Sequence, residues 1–162
     1  MCRDGQVPEL FRPDEDASLT APARDALLAL LHDPDATTRF HACRVAVGDD
    51  LLAPVVRALL ALAEGPDAEL RGGAAVLLAS CRDRTPAVAD ALFALLDEDH
   101  LLTRLEAAYG LALRDDPRTG EAIERVGPLG EGFREDHRVD ALWDWTQREN
   151  RPWPLAPGSG TA

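Results

Sequence analysis

Apolar residues recur along most of this chain at the i, i+3, i+4 and i+7 spacing of an amphipathic helix. Four segments with this spacing begin close to a Thr or Asp followed by a proline, a combination typical of helix starts. These segments are 20–31, 50–63, 85–96 and 116–126. No alternation with a period of two continues over a useful length, so we expect no strand. The pattern predicts an all-α fold.

A second set of helices shares an arginine, which recurs as Arg39, Arg71, Arg104 and Arg138. The intervals are 71−39 = 32, 104−71 = 33 and 138−104 = 34 residues. An alanine stands three residues after each arginine, where a small side chain lets two helix backbones approach closely. These alanines are Ala42, Ala74, Ala107 and Ala141. Four copies of one unit at a near-constant period predict a stacked helical repeat with eight helices.

The residues before the arginine differ between the copies. Asp35 and Asp67 stand four residues before the first two arginines, where a carboxylate can accept hydrogen bonds from the free amides of a first helical turn. The third and fourth copies have His100 and Arg134 at that position. We therefore expect aspartate caps on the first two of these helices.

The run Asp-Pro-Asp-x-x-x-Arg-x-x-Ala at 33–42 and its echo at 65–74 resemble the HEAT-repeat family, in particular the short HEAT-like repeats also found in phycobilisome lyases. The resemblance covers roughly residues 20–148. It implies an α-solenoid of about four stacked antiparallel helix hairpins, a HEAT-like superhelix. It also implies that the aspartates and arginines at the repeat positions are scaffold residues that tie neighbouring turns together. The repeat positions are Asp35, Arg39, Asp67, Arg71, Arg104 and Arg138.

The two ends of the chain differ in composition from the repeats. Residues 1–17 are rich in acidic residues and prolines and are interpreted as an N-terminal arm or cap, followed by a repeat domain over 18–149. Residues 150–162 are rich in Pro, Gly and Ser, which is typical of a flexible C-terminal tail. Within that tail, Trp153 is a candidate to pack back on the last helices as a lid.

The chain is acidic, with a formal net charge of −12, and all of its basic side chains are arginine. The absence of lysine is typical of proteins encoded by GC-rich bacterial genomes. The negative charge argues against DNA or RNA as a partner, because it would repel phosphates. It fits a basic protein partner, or good solubility alone.

The cysteines and the hydropathy pattern bear on the location of the protein. The odd set of Cys2, Cys43 and Cys81 contains no CxxC pair and gives no disulfide framework, which favours a reducing compartment. No apolar run approaches 18 residues, so we expect neither a membrane span nor a secretion signal. These features predict a cytoplasmic protein.

The chain lacks the common catalytic and metal-binding signatures. There is no Gly-x-Ser-x-Gly, no P-loop and no dinucleotide fingerprint after a strand. The four histidines show no i, i+4 pair, and no Cys/His cluster is present. We expect no metal and no cofactor, and a non-catalytic protein is favoured over an enzyme.

The second helices offer a candidate binding surface. In HEAT-like repeats these helices usually line the concave face. Positions one, three, four and seven after the arginine are expected to face the core, whereas positions two and five lie on another face and form a ridge. The ridge contains His41, Arg44, Val76, Glu106, Tyr109, Asp140 and Trp143. Tyr and Trp are frequent interface anchors, although both rings could instead pack against the next helix or the C-terminal tail.

Three functions remain open. The first is a non-catalytic scaffold that binds a protein or peptide through the concave helix face, including the special case of an immunity-type inhibitor of a basic toxin. The second is a lyase-like or biosynthetic accessory protein acting on a small molecule or modified peptide. The third is a base-excision enzyme, which the charge disfavours because affinity for DNA depends on neutralising phosphates.

Overall fold

The computed structural model describes residues 19–46 and 51–154. Over these ranges the chain forms α-helices and no β-strand, which confirms the predicted all-α class. The helices are α1 (Ala21–Leu31), α2 (Ala36–Val45), α3 (Leu52–Ala63), α4 (Ala68–Ser80), α5 (Pro86–Ala94), α6 (Leu101–Leu113), α7 (Thr119–Val126) and α8 (His137–Arg148). Short 3-10 helices follow α5 at Leu95–Asp97 and precede α8 at Glu131–Phe133. The predicted N-terminal arm and the tail beyond 154 lie outside the described residues.

Aspartate side chains set the start of several helices. Asp35 accepts a hydrogen bond from the Thr38 amide at 2.7 Å, and Asp67 accepts bonds from the amides of the first turn of α4, so both predicted caps are confirmed. In α8 the cap is Asp136, two residues before the recurring arginine, and this helix therefore begins later than its counterparts. The start predicted for α7 at residue 116 was three residues early. Asp116 instead closes a turn through its contact with the Arg118 amide at 2.9 Å.

The helices pack in two series. The second helices of the predicted pairs contact one another in the order α2, α4, α6 and α8, and the first helices contact one another in the order α1, α3 and α5. Each of the first three pairs also packs internally, α1 on α2, α3 on α4 and α5 on α6. The last pair departs from this pattern, because α7 packs chiefly on α6.

The buried face of each second helix follows the position of the arginine. At position three Ala42, Ala74 and Ala107 are buried and Ala141 is half-buried. At position four the buried residues are Cys43, Ala75, Ala108 and Leu142. The expected core positions are thus confirmed for positions three and four, including α8, although that helix begins two residues late.

A glycine brings α4 and α6 close together. A Cβ atom on Gly110 would lie 2.8 Å from the Cα of Ala79 and 2.8 Å from a methyl carbon of Leu92. Both distances are shorter than a carbon–carbon contact allows, so a larger residue would push the two helices apart.

Three of the recurring arginines bind backbone carbonyls of the loop that precedes their own helix. Arg39 donates through Nη1 to the Asp33 carbonyl at 2.7 Å. The Arg71 Nη1 donates to the Gly65 carbonyl at 2.9 Å, and the Arg104 Nη1 donates to the Glu98 carbonyl at 2.7 Å. In all three copies the acceptor lies six residues before the arginine. The guanidinium therefore fixes the tight turn between two helices through the carbonyls of the loop.

Two of these arginines also reach the next helix pair along the chain. Arg71 forms a two-pronged ion pair with Glu98, with N–O distances of 2.7 and 3.0 Å. Arg104 donates to the carbonyl of Val126 at the end of α7, at 3.3 and 3.4 Å. These contacts link successive helix pairs.

A further arginine, Arg114, closes the C-terminal end of α4 from the neighbouring helix. Its guanidinium donates to the carbonyls of Leu78 and Ala79 at 2.7 and 2.9 Å, and to carbonyls of Cys81 and Asp83 in the loop beyond. The last carbonyls of a helix have no partner within the helix, so this side chain acts as a C-cap supplied from the end of α6. Burial lowers the pKa of the Arg114 guanidinium from its ordinary value.

Within the described ranges, no helix is both long enough and apolar enough to cross a lipid bilayer.

Candidate functional site

A stripe of side chains follows the surface of α4, α6 and α8, and it includes several residues of the predicted ridge. On α6 the stripe contains Leu102, Glu106, Tyr109 and Leu113, which are spaced three or four residues apart and so share one face. On α4 and α8 the corresponding exposed apolar residues are Val76 and Trp143. The stripe thus combines large apolar side chains with carboxylates.

The predicted ridge residues lie in different surroundings. Val76 and Trp143 are 46% and 44% exposed, and His41, Arg44 and Asp140 are also exposed, whereas Glu106 and Tyr109 are half-buried. Of the seven ridge residues, Val76 and Glu106 are the two that line a common groove. Arg44 and His41 lie on α2, outside this groove, and the α8 members of the ridge do not line it either.

This groove lies between α4 and α6, has a volume of about 520 Å³, and ends at Arg138 of α8. Val76 on α4 and Leu102 on α6 provide its apolar part, and both are more than 40% exposed. The polar part is formed by Glu69, Thr103 and Glu106 together with His100. Sites that bind side chains or small ligands commonly combine apolar walls with a few placed polar groups.

Two adjacent glycines form the floor of the groove. A Cβ on Gly73 would lie 2.4 Å from the ring of Phe40, so the absence of a side chain lets α2 pack against α4. A Cβ on Gly72 would lie 3.1 Å from the hydroxyl oxygen of Thr103. Gly72 therefore leaves the space above this hydroxyl open to the groove.

The polar end of the groove is a network centred on Arg138. Its Nη1 donates to Oε1 of Glu106 at 2.6 Å, and its Nε and Nη2 donate to the two carboxylate oxygens of Asp136 at 2.9 and 2.6 Å. The three side chains are between 13% and 16% exposed. The hydrogen bonds from Arg138 lower the pKa of Asp136 to about 2, and those to Asp136 and Glu106 raise the pKa of Arg138. The cation is thus held by two carboxylates.

Two polar atoms of the groove have no protein partner among the described residues. Glu106 uses Oε1 for Arg138, while its Oε2 accepts no hydrogen bond. Thr103 is 95% buried, since its relative exposure is 5%, and its hydroxyl makes no side-chain hydrogen bond. Among the described residues, Nε of Arg114 is the one buried side-chain N or O atom without a partner, so the Thr103 hydroxyl is open to the groove that it lines and a ligand atom can bind it there.

The two aromatic ridge residues already have ring partners. Tyr109 meets His137 edge to face with 5.5 Å between the ring centres, and Trp143 meets Trp153 at the same distance. These contacts agree with the alternative in which the rings pack on the next helix and on the C-terminal segment. Residues 150–154, assigned from sequence to the flexible tail, include this Trp153 contact and a backbone hydrogen bond from Arg151 to Thr146 at 2.9 Å.

Several groove residues were not identified from sequence. Leu102 lies seven residues before Tyr109, so the same helical spacing that gave the ridge could have identified it. Thr103 and Gly72 gave no such signal. The burial of Thr103 depends on the contact between two helices more than 20 residues apart in sequence, and glycine beside it has meaning only in that packing.

Nucleophiles and metal ligands are sparse in the described part of the chain. Burial raises the pKa of the Cys43 thiol to about 11, so this thiol is protonated at neutral pH. No group of three or more His, Cys, Asp or Glu side chains there is arranged to hold a metal ion.

Comparisons with protein families, with curated proteins and with solved structures gave no match for this chain.

Proposed function

We propose that this chain is a HEAT-like α-solenoid that acts as a non-catalytic scaffold and binds a protein or peptide partner through the face of its second helices. The architecture is supported by the contacts of α2, α4, α6 and α8 in series and of α1, α3 and α5 in series. The arginine links to the next repeat, Arg71 to Glu98 and Arg104 to Val126, support the same stacking.

The observation that carries the binding face is the distribution of exposed apolar side chains. Six large apolar residues of the described chain are more than 40% exposed, and five of them lie on second helices. Those five are Val45, Val76, Leu102, Leu113 and Trp143; the sixth, Leu30, lies on α1. Single exposed apolar residues are ordinary on protein surfaces, whereas several on one face are typical of an interaction site.

The surface near α5 and α7 has a different character. Arg118, just before α7, pairs with Asp90 of α5 at 2.7 Å, and Arg125 of α7 pairs with Asp97 of the short 3-10 helix at 3.2 Å. Both guanidiniums also lie over the ring of Phe93, at 5.0 and 4.7 Å from its centre. Paired charges that cover an aromatic ring are typical of a solvated surface. This contrast favours the second helices as the binding face.

The proposal is tested by photo-crosslinking followed by affinity measurement. A benzophenone amino acid is placed at Val76 on the proposed face, or at Ala61, an exposed position on α3, as the matched control. The partner captured from Val76 is identified, purified and titrated against wild type, Val76→Asp and Ala61→Asp. We expect Val76→Asp to weaken binding at least about tenfold, equivalent to about 1.4 kcal/mol, and Ala61→Asp to leave it within about twofold. Equal losses for the two variants, or crosslinks from Ala61 alone, would refute the proposal.

A further inference from the structure

From the groove between α4 and α6, we infer that the partner segment inserts an arginine side chain, whose guanidinium binds Glu106 and Thr103 while its aliphatic part lies along Val76 and Leu102. This inference rests on the proposed function and names the chemistry of the partner. The occupant is a short arginine-containing segment of another protein.

The first argument is the set of unused acceptors. Glu106 Oε2 and the Thr103 hydroxyl both line the groove, and neither has a hydrogen-bond partner among the described residues. They lie three residues apart on α6 and therefore on the same side of that helix. A guanidinium has five N–H donors in a planar fork and can bind a carboxylate oxygen and a hydroxyl at the same time.

The second argument is charge. Of the groove residues, Glu69 and Glu106 are carboxylates and Arg138 is the single cation, so the formal charge of these three is −1. Arg138 is already bound by Asp136, whose carboxylate takes two of its hydrogen bonds. Glu69 lines the groove, is exposed, and makes no ion pair with the other described residues. An incoming cation thus meets unneutralised negative charge, in a chain whose net charge is −12.

The third argument is shape. Because Gly72 carries no side chain, no group at that position covers the Thr103 hydroxyl, and a planar group can reach it. Val76 and Leu102 flank the polar end and can cover the methylene groups of an extended arginine side chain. A partner with only an apolar anchor would leave the two acceptors without donors, which is costly once water is excluded.

The test uses pools of fluorescein-labelled pentapeptides in which the central residue is fixed and the flanking positions are randomised. The central residue is arginine, lysine, citrulline or leucine. Citrulline has the shape of arginine without its charge. Binding to the full-length protein is measured by fluorescence anisotropy at physiological ionic strength, where weak surface attraction is screened. We expect the arginine pool to bind at least about fivefold tighter than the citrulline pool, a preference consistent with a charge-assisted contact.

Two variants locate the effect. Glu106→Gln should reduce the arginine-to-citrulline ratio to within about twofold, while Glu124→Gln, which removes an exposed carboxylate from α7 outside the second helices, should leave the ratio unchanged. Equal binding of the arginine and citrulline pools to wild type would overturn the inference without any substitution. Equal losses in the two variants would also overturn it, because they would indicate general electrostatic attraction. A lysine pool as tight as the arginine pool would remove the assignment to arginine.

The two proposals fail separately. If the crosslinked partner still depends on Val76 while the arginine pool shows no preference, the binding face stands and the arginine is wrong. If the partner does not depend on Val76 and the arginine pool still binds through Glu106, the groove binds arginine but the wider face is not the partner surface.

Discussion

Replacing Arg114 should destabilise the protein more than its position at a helix end suggests. The substitution Arg114→Met keeps the apolar stem and removes every hydrogen bond to the C-terminal carbonyls of α4. Two of those bonds are short, to Leu78 at 2.7 Å and Ala79 at 2.9 Å. A hydrogen bond to a charged group contributes about 1.5–3 kcal/mol, so two of them amount to about 3–6 kcal/mol before compensation.

Two effects reduce that figure. The guanidinium loses hydration on burial, as the lowered pKa of Arg114 indicates, and its buried Nε atom has no partner among the described residues. Water can also reach part of the half-buried site in the variant. We therefore expect a loss of about 2–4 kcal/mol in the free energy of unfolding.

The assay is urea denaturation monitored by circular dichroism, with Arg148→Met as the matched control. Arg148 makes an ion pair with Asp115 in which both side chains are more than 60% exposed, so its removal should cost less than about 1 kcal/mol. With an m-value of about 2 kcal/mol/M, the midpoint for Arg114→Met should fall by about 1–2 M. A shift no larger than that of Arg148→Met, at the same m-value, would refute the assignment of Arg114 as the cap of α4.

Three further predictions follow from the packing and the titrating groups. Gly110→Ala should lower the free energy of unfolding by about 1–3 kcal/mol, because its Cβ would collide with the backbone of α4. Gly132→Ala is the control and should not destabilise the protein, because its Cβ would meet nothing within 4 Å. Thermal melts of the two variants test this difference. Asp136 has its pKa lowered to about 2, so its stabilising contribution is complete above about pH 4 and is lost as the pH falls towards 2. Asp136→Asn should remove up to about 2 kcal/mol of the change in unfolding free energy that wild type shows between about pH 4 and 2. Asp140→Asn is the control and should keep the wild-type pH dependence. If Asp136→Asn shows the same pH dependence as Asp140→Asn, the contact between Asp136 and Arg138 does not stabilise the fold. Cys43, with its pKa raised to about 11, should resist alkylation at neutral pH until the protein unfolds, and rapid native labelling found by mass spectrometry would contradict its burial.

The repeat period was the part of the fold most accessible from sequence. The spacing of the arginines fixes which face of each second helix is buried, because a helix keeps its angular register over many residues. This is why Leu142 and Trp145 are buried at positions four and seven after Arg138, although α8 begins two residues later than its counterparts. The alanines at position three were predictable for the same reason.

The start of α7 and the role of Arg114 were less accessible. The Asp116 side chain accepts a hydrogen bond from the Arg118 amide. The local turn that this bond closes competes with the helix start that helix propensity alone would allow at residue 116. Arg114 binds carbonyls 31 to 36 residues away, a contact that depends on the packing of two helices. No spacing in the sequence distinguishes it from the exposed arginines.

The candidate site was predictable only in part. Val76 and Glu106 were found because surface positions repeat with the helix period. The groove itself depends on the distance between α4 and α6, which Gly110 permits, and on the open space that Gly72 leaves above Thr103. Residue type alone favoured Tyr109 and Trp143 as anchors, yet each has a ring partner within the chain.

The most direct test of the proposed binding face is an amide chemical-shift map of the labelled protein with the partner captured from Val76. We expect the largest shifts at Gly72, Gly73, Thr103 and Glu106, and small ones along the outer surfaces of α1, α3 and α5. Shifts confined to those outer surfaces, with the α4 and α6 amides unchanged, would contradict binding through the second helices.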